Sequence, residues 1–330
     1  MQALTFHGGR VDEAALRYPD APMPWIDLST GINPFAWQTA ALPEIDWRAL
    51  PSVSALRALT DAAAAAFDAP DIAIAAVPGS EIALRSLAHL SLPEPFHVIA
   101  PSYRTHLAAL PGARAIDRDA VLRGGVIDGT LLLANPNNPD GEMIAPDTLL
   151  RLARDLAARG GVVVIDEAFA DAMPGGSVLP LLTADDRVLV LRSFGKFFGL
   201  AGLRLGFVCG AVDLVAAVAE RMGSWPVSSA AIAWGTAAYR DRAWIDATRV
   251  RLAGKSAALD RVLRGHGLTP RGECPLFRLV QTGTAGAIFE RLARAGILTR
   301  PFDYAPDWLR IGLPDGPDAL ARLDEALRHR

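Results

Sequence analysis

The sequence predicts an α/β protein: a large domain built on a mainly parallel sheet between helices, followed by a smaller C-terminal α+β domain. Short apolar runs rich in branched residues alternate with stretches of helical period, the chain is long enough for a second core, and each chemically suggestive polar residue follows an apolar run. Strands alternating with helices imply a sheet covered on both faces, and ligands of such sheets bind beyond the carboxyl ends of the strands.

Residues 1–45 are rich in Pro and Gly and carry HGG at 7–9 and STGINP at 29–34, with little periodicity, so they read as an extended arm. A helix is expected over 54–67, after the proline and serines at 51–54 that start it. Strands are expected at 72–77, 97–100, 130–134, 162–165, 187–191 and 205–209, with helices at 80–90, 103–110, 147–158 and 212–222 between many of them. A long amphipathic stretch at 241–265 leads into strands near 276–281 and 308–313 and helices near 284–295 and 316–328. The predicted organisation is therefore an arm, 1–45, packing with the small domain and the active site, a large domain, 46–240, and a small domain, 241–330.

Composition narrows the function classes. A chain of 330 residues exceeds the roughly 100–200 expected of one domain. Hydrophobic residues make up 51% and charged ones 21%, which is globular rather than disordered composition. With a net charge of -3 and no basic stripe, nucleic acid is not an expected partner. Cys209 and Cys274 form neither a disulfide framework nor a zinc pattern. The N-terminus, MQALTFHGGR, lacks the pattern of a secretory signal, and no apolar run reaches the length of a membrane span. A soluble cytoplasmic protein with no membrane partner is the expectation.

The most informative stretch is Ser193 to Gly206, SFGKFFGLAGLRLG. It sets Lys196 among glycines and follows it eight residues later with Arg204. A lysine that forms a Schiff base is held in a pocket that lowers its pKa, and Phe194, Phe197, Phe198 and Leu200 are expected to wall it. Ser193 and Arg204 suit a phosphate, so pyridoxal 5'-phosphate (PLP), bound covalently, fits this stretch. The competing reading is a solvated surface lysine. Asp166, after the 162–165 strand, suits a pyridinium nitrogen, and Asn138, in NPNNPDG after 130–134, suits a phenolic oxygen. A helix cap and a plain turn are the structural alternatives. Gly79-Ser80-Glu81 opens a helix directly after a strand, where free N–H groups meet phosphate or Ser80 is an ordinary cap. Tyr103, after the next strand, suits stacking on a flat ring or simple packing.

The ordered combination resembles the fold-type I PLP-dependent enzymes, the aspartate aminotransferase superfamily, over nearly the full length. The resemblance implies Lys196 as the Schiff-base lysine, Asp166 at the ring nitrogen, Asn138 at the phenolic oxygen and Tyr103 in the stacking position. It also implies Ser80, Glu81, Ser193 and Arg204 at the phosphate, Arg310 in WLRIGL at the substrate carboxylate, and a homodimer. HGG at 7–9 with DLSTGINP at 27–34 is similar to the arm of the threonine-phosphate decarboxylases of cobalamin biosynthesis. Histidinol-phosphate aminotransferases have Asn-Glu-Asn-Pro where this chain has Gly31-Ile32-Asn33-Pro34. That narrower resemblance implies decarboxylation of L-threonine O-3-phosphate to (R)-1-amino-2-propanol O-2-phosphate, with His7, Asn33 and Arg300 at the substrate phosphate.

Three positions depart from the superfamily pattern. Phe169 stands for a tyrosine near the phenolic oxygen, Gly195 for a hydroxyl residue before the lysine, and Leu50 for a tyrosine lent by the neighbouring subunit. An aminotransferase, such as one using histidinol phosphate, is the alternative activity. A non-catalytic PLP-fold binding protein is the further alternative.

Overall fold

The structure is a computed structural model and describes residues 7–39, 44–125 and 127–328. The parts of the expected arm at 1–6 and 40–43 lie outside the described residues. The chain divides into two compact units: a larger one of residues 36–138 and 143–247, and a smaller one of residues up to 35, 139–142 and 248 onward.

The larger unit contains α2 (Val53–Ala66), β2 (Ala73–Val77), α3 (Ser80–Ser86), β3 (Phe96–Ile99), α4 (Thr105–Ala109), β4 (Arg114–Ile116), α5 (Arg118–Leu122), β5 (Thr130–Ala134), α6 (Pro146–Ala157), β6 (Val162–Asp166), β7 (Val188–Ser193), α7 (Phe194–Phe197), β8 (Gly206–Gly210), α8 (Val212–Met222) and α9 (Ser229–Arg240). Its seven strands lie in the order β2-β8-β7-β6-β5-β3-β4. Pairings from β4 through to β7 are parallel, whereas β8 runs antiparallel to both β7 and β2. β5, β6 and β7 are buried at every position, which explains why their sequences are continuous Val/Leu/Ile runs rather than alternating ones.

Period-two geometry divides these side chains between two layers. Val162, Val164, Leu189, Leu191 and Val208 join one core with Leu84, Val215 and Val218 of the flanking helices. The opposite face carries aromatic rings: Phe207 of β8 packs on Phe67 and Tyr239, with centroids 5.7 and 5.6 Å away. α2 and α9 close that layer around Gly235, where a Cβ would come within 2.8 Å of the Leu59 side chain. Ser52 and Ser228 cap these two helices by accepting the N–H groups of Ala55 and Ala231.

The smaller unit holds α1 (Val11–Arg17), β1 (Ile26–Asp27), the Thr248–Gly265 part of α10 (Arg242–Gly265), β9 (Pro270–Arg271), β10 (Phe277–Gln281), α11 (Ala285–Arg294), β11 (Ile297–Leu298), β12 (Arg300–Pro301), β13 (Trp308–Gly312) and α12 (Pro317–Arg328). Its four-stranded antiparallel sheet runs β12-β13-β10-β9, and β1 pairs in parallel with β11. Helices α11 and α12 bury one apolar stripe each, including Ile288, Phe289, Leu292, Leu323 and Leu327.

Several elements differ from the sequence reading. The arm is not wholly extended: α1 forms with Asp12 and Glu13 in its first turn and Arg17 in its last, a charge order that suits the helix dipole. The described arm residues up to Phe35 fall in the smaller unit, and Ala36 onward in the larger. The expected 80–90 helix is α3 followed by a 3-10 turn at Leu87–His89. β4, α5 and α9 lack a counterpart in the expected element order. β4 is an edge strand whose three residues are exposed or half-buried, so it carries no apolar run.

Candidate active site

The sheet register brings the predicted cofactor residues of the larger unit to one edge. Val77 and Ser193 both pair with Gly206, Asp166 pairs with Leu191, and Ala134 pairs with Asp166. The carboxyl ends of β2, β5, β6 and β7 and the start of β8 therefore share one rim. Ser80 and Glu81 follow β2, Tyr103 follows β3, Asn138 follows β5, Asp166 ends β6, Ser193 ends β7, Lys196 follows it in α7, and Arg204 precedes β8.

Backbone proximity brings the start of α3 and Arg204 together on this rim. Gly79 has a left-handed φ of +90°, and a Cβ there would lie 2.7 Å from Arg204 Nη2. A Cβ on Gly206 would lie 2.6 Å from the Ser80 amide nitrogen. Only glycine allows both approaches, which set the first turn of α3 and the Arg204 guanidinium against each other. Arg204 itself adopts φ 53°, a conformation unusual for a residue with a side chain, and donates to the Ala201 carbonyl at 3.2 Å. A guanidinium beside main-chain amides at a helix start can hold phosphate. Glu81 enters differently from the expectation. Its Oε1 accepts from Arg85 Nε at 2.8 Å and from Thr105 Oγ1 at 3.2 Å, so its main chain, not its carboxylate, suits an anion.

Asp166 is buried, and its carboxylate is held from two sides. Oδ1 accepts the Ala168 N–H at 3.0 Å, and Oδ2 lies 2.9 Å from Nε2 of the fully buried His106. His106 Nδ1 in turn meets Ser102 Oγ at 3.2 Å, and its ring stands edge-on to Tyr103. The sequence reading missed His106. It lies in the short helix α4 after β3, with no local sequence signal for its contact with β6.

The asparagine loop after β5 divides its labour. Asn135 is fully buried and exchanges hydrogen bonds with both backbone groups of Ile144, and Asn137 donates to the Pro101 carbonyl at 3.0 Å. These two are structural. Asn138, next in line, is half-buried.

The phenylalanines around Lys196 do something other than line a cofactor pocket. Phe194, Phe197 and Phe198 are buried in the unit's aromatic core, where Phe198 stacks on Phe194 and on Trp244 at 4.5 and 5.5 Å. They anchor the lysine-bearing turn from its base. Gly195 is required by the fold: a Cβ would lie 2.6 Å from Ala201 Cα. Behind the rim, Arg192 donates to Glu167 Oε2 at 2.9 Å and to Asp171, and stacks over Phe67. Burial works against its charge, but Asp171 and Glu167 outweigh that and push the guanidinium up. Phe169 is buried and offers no hydroxyl, as its sequence requires.

The remaining candidates belong to the smaller unit. Arg300 and Arg310 are register partners on β12 and β13, and both are buried. Arg310 lies over the Phe277 ring at 4.9 Å and donates from Nη2 to the Ser29 carbonyl at 2.8 Å. Burial and the neighbouring charge of Arg300 push its guanidinium down to about 9. Asn33 is buried and its Oδ1 accepts the Phe35 N–H at 2.9 Å. His7 begins the described arm beside Gly8, whose missing Cβ lets the chain press against the Ser29 carbonyl. Two buried cationic side chains thus stand on adjacent strands.

The sequence model of the aminotransferase class I and II family matches residues 69–329. The chain belongs to this family. It is 40% identical to a threonine-phosphate decarboxylase of Sinorhizobium sp. over 98% of this chain and 100% of that protein. A threonine-phosphate decarboxylase of Pseudomonas aeruginosa is also 40% identical, over 97% of this chain and 96% of that protein. Histidinol-phosphate aminotransferase 2 of Rhizobium meliloti is 34% identical over 70% of each chain. Among solved structures, histidinol-phosphate aminotransferase from Sinorhizobium meliloti in complex with pyridoxal-5'-phosphate superposes with a TM-score of 0.77 at 21% identity, covering 99% of this chain and 96% of that one.

Proposed function

We propose that the protein is a PLP-dependent decarboxylase that converts L-threonine O-3-phosphate to (R)-1-amino-2-propanol O-2-phosphate, a step of cobalamin biosynthesis. The observation that carries the substrate class is the buried pair Arg300 and Arg310 on adjacent strands, beside an arm bearing HGG and STGIN. A substrate with a carboxylate and a phosphate answers two cations. Similarity to two threonine-phosphate decarboxylases along nearly the whole chain supports the same reading.

The rim residues fit the cofactor. Lys196 would hold it covalently through Nζ, Ser80, the Glu81 amide, Ser193 and Arg204 would hold its phosphate, Asn138 would meet its phenolic oxygen, and Tyr103 would cover the ring. When bound, the cofactor's ring supplies a sink for the electron pair left by the departing carboxylate. Asp166 would keep a proton on the ring nitrogen, and His106 holds the Asp166 carboxylate in place. Arg310 takes the substrate carboxylate, and Arg300, His7 and Asn33 take the phosphate. Holding both charged ends of the substrate would fix its orientation, and orientation decides whether the carboxylate or the proton at Cα is lost.

The homodimer and the cytoplasmic location belong to this proposal. Trp47 and Trp225 are 77% and 57% exposed, and with Leu50 and Val53 they leave an apolar area on the larger unit for a second copy. Among the described residues no helix is long and apolar enough to cross a membrane, and the two cysteines are buried thiols. The test is a single turnover of the PLP-loaded protein with L-threonine O-3-phosphate and no keto acid. Release of carbon dioxide with return of the starting absorbance is expected. Absence of carbon dioxide, with conversion of the cofactor to its amine form by histidinol phosphate, would instead establish an aminotransferase.

A further inference from the structure

Ser29 stands at a junction inside the smaller unit. Its Oγ donates to Asp27 Oδ1 at 2.5 Å and accepts the Gly9 N–H at 2.8 Å. Its own N–H also donates to Asp27 Oδ1, at 2.8 Å, and its carbonyl accepts from Arg310 Nη2. The residue is 2% exposed. The segment that carries it is fixed on both flanks: β1 runs beside β11, and the Gly312 N–H donates to the Leu28 carbonyl at 2.7 Å. A Cβ at Gly312 would lie 2.5 Å from the Thr30 carbonyl, so β13 and the arm meet at backbone distance.

We infer that Ser29 is a positioning residue of the substrate site, which with Asp27 sets the plane of the Arg310 guanidinium and ties it to the His7–Gly9 segment. The inference rests on the reading of Arg310 as the substrate's anion ligand. A carboxylate is gripped by two guanidinium N–H groups in one plane, so the direction of that plane decides whether the grip is bidentate. The Ser29 carbonyl takes one Nη2 proton and the guanidinium lies over the Phe277 ring, and both contacts restrict its plane. The Ser29 hydroxyl fixes that carbonyl and the Gly9 amide at once. Arm and arginine are thereby aligned by one side chain.

Charge adds a second readout. The groups acting on Arg310 are Arg300, which pushes it down, and Cys274, Tyr304 and Asp27, which push it up. Replacing Asp27 by Asn moves the loss of Arg310's proton to lower pH, whereas Ser29→Ala keeps that charge.

The experiment measures KM, kcat and the pH dependence of KM for the PLP-loaded full chain, with thermal stabilisation by acetate, a bare carboxylate, as an activity-independent readout. Ser29→Ala is expected to raise KM about tenfold and to weaken stabilisation by acetate similarly, with cofactor absorbance unchanged. Asp27→Asn is expected to shift the alkaline rise in KM to lower pH. If Arg310→Lys raises KM and Ser29→Ala leaves both KM and acetate stabilisation unchanged, the positioning role is wrong and the anion site stands. If Arg310→Lys changes neither measurement, the anion-site reading itself is wrong and the inference goes with it.

Discussion

The two units treat buried charge in opposite ways. In the larger one each buried charge near the rim has an opposing or hydrogen-bonding partner: Arg192 has Glu167 and Asp171, and Asp166 has His106. In the smaller one, Arg278 is matched by Asp260 at 2.7 Å, but Arg310 faces a second arginine across the sheet and is pushed down by it. A buried cation beside its carboxylate is part of the scaffold. A buried cation beside another cation costs the fold stability, and an incoming anion removes that cost. The larger unit thus sets its buried arginine against carboxylates, whereas the smaller one sets Arg310 beside a second arginine.

The largest effect should come from the rim. Lys196→Ala is expected to lower carbon dioxide release on the order of 10⁴-fold and to abolish the absorbance of covalently held cofactor, read by stopped assay and spectrum. Next, urea denaturation of two arginine variants tests the contrast itself. Arg192→Met should lose about 3–5 kcal/mol, because two buried carboxylates are left without their cation. Arg310→Met should lose none in phosphate-free buffer near neutral pH. The folded value of Arg310, about 9, lies below its ordinary value, so its charge disfavours folding below pH 9 and this penalty lifts only as pH rises through 9. Equal losses in both variants would dissolve the distinction between the units.

Smaller effects sharpen it. His106→Gln keeps a donor toward Asp166 but not the ring's shape or its reach to Ser102, and a fall of about 10-fold in kcat with little change in KM is expected from steady-state kinetics. Raising the pH above 9 should increase KM about tenfold per unit as Arg310 loses its proton, while kcat changes less. A KM flat from pH 8 to 10, measured at saturating cofactor, would place the carboxylate elsewhere.

The sheet and its rim were legible because continuous branched runs ending in polar residues have one common explanation, a buried parallel strand with a ligand beyond its end. Asp166 stands at such an end and Lys196 follows one, whereas Arg204, which precedes β8, was picked out by its spacing from Lys196. His106 was hidden: it sits in a short helix after β3, and nothing in its neighbours indicates that its ring nitrogen reaches β6, 60 residues away. The phenylalanines beside Lys196 misled for a related reason. Apolar residues next to a reactive group read as its walls, and only packing reveals that Phe194 and Phe198 turn inward to Tyr239. Ser29 was visible as part of the arm's motif, but a serine's partners depend on which backbone groups approach it, and that is set by Gly8 and Gly312.

The contact between Gly195 and Ala201 also bears on how this site can change over generations. The superfamily's hydroxyl residue before the lysine cannot reappear here by one substitution, since any side chain at 195 meets the main chain of residue 201. The turn at 201–203 would have to move first, and with it Arg204, whose left-handed backbone follows directly. A side chain at 195 and the 201–204 turn therefore have to change together.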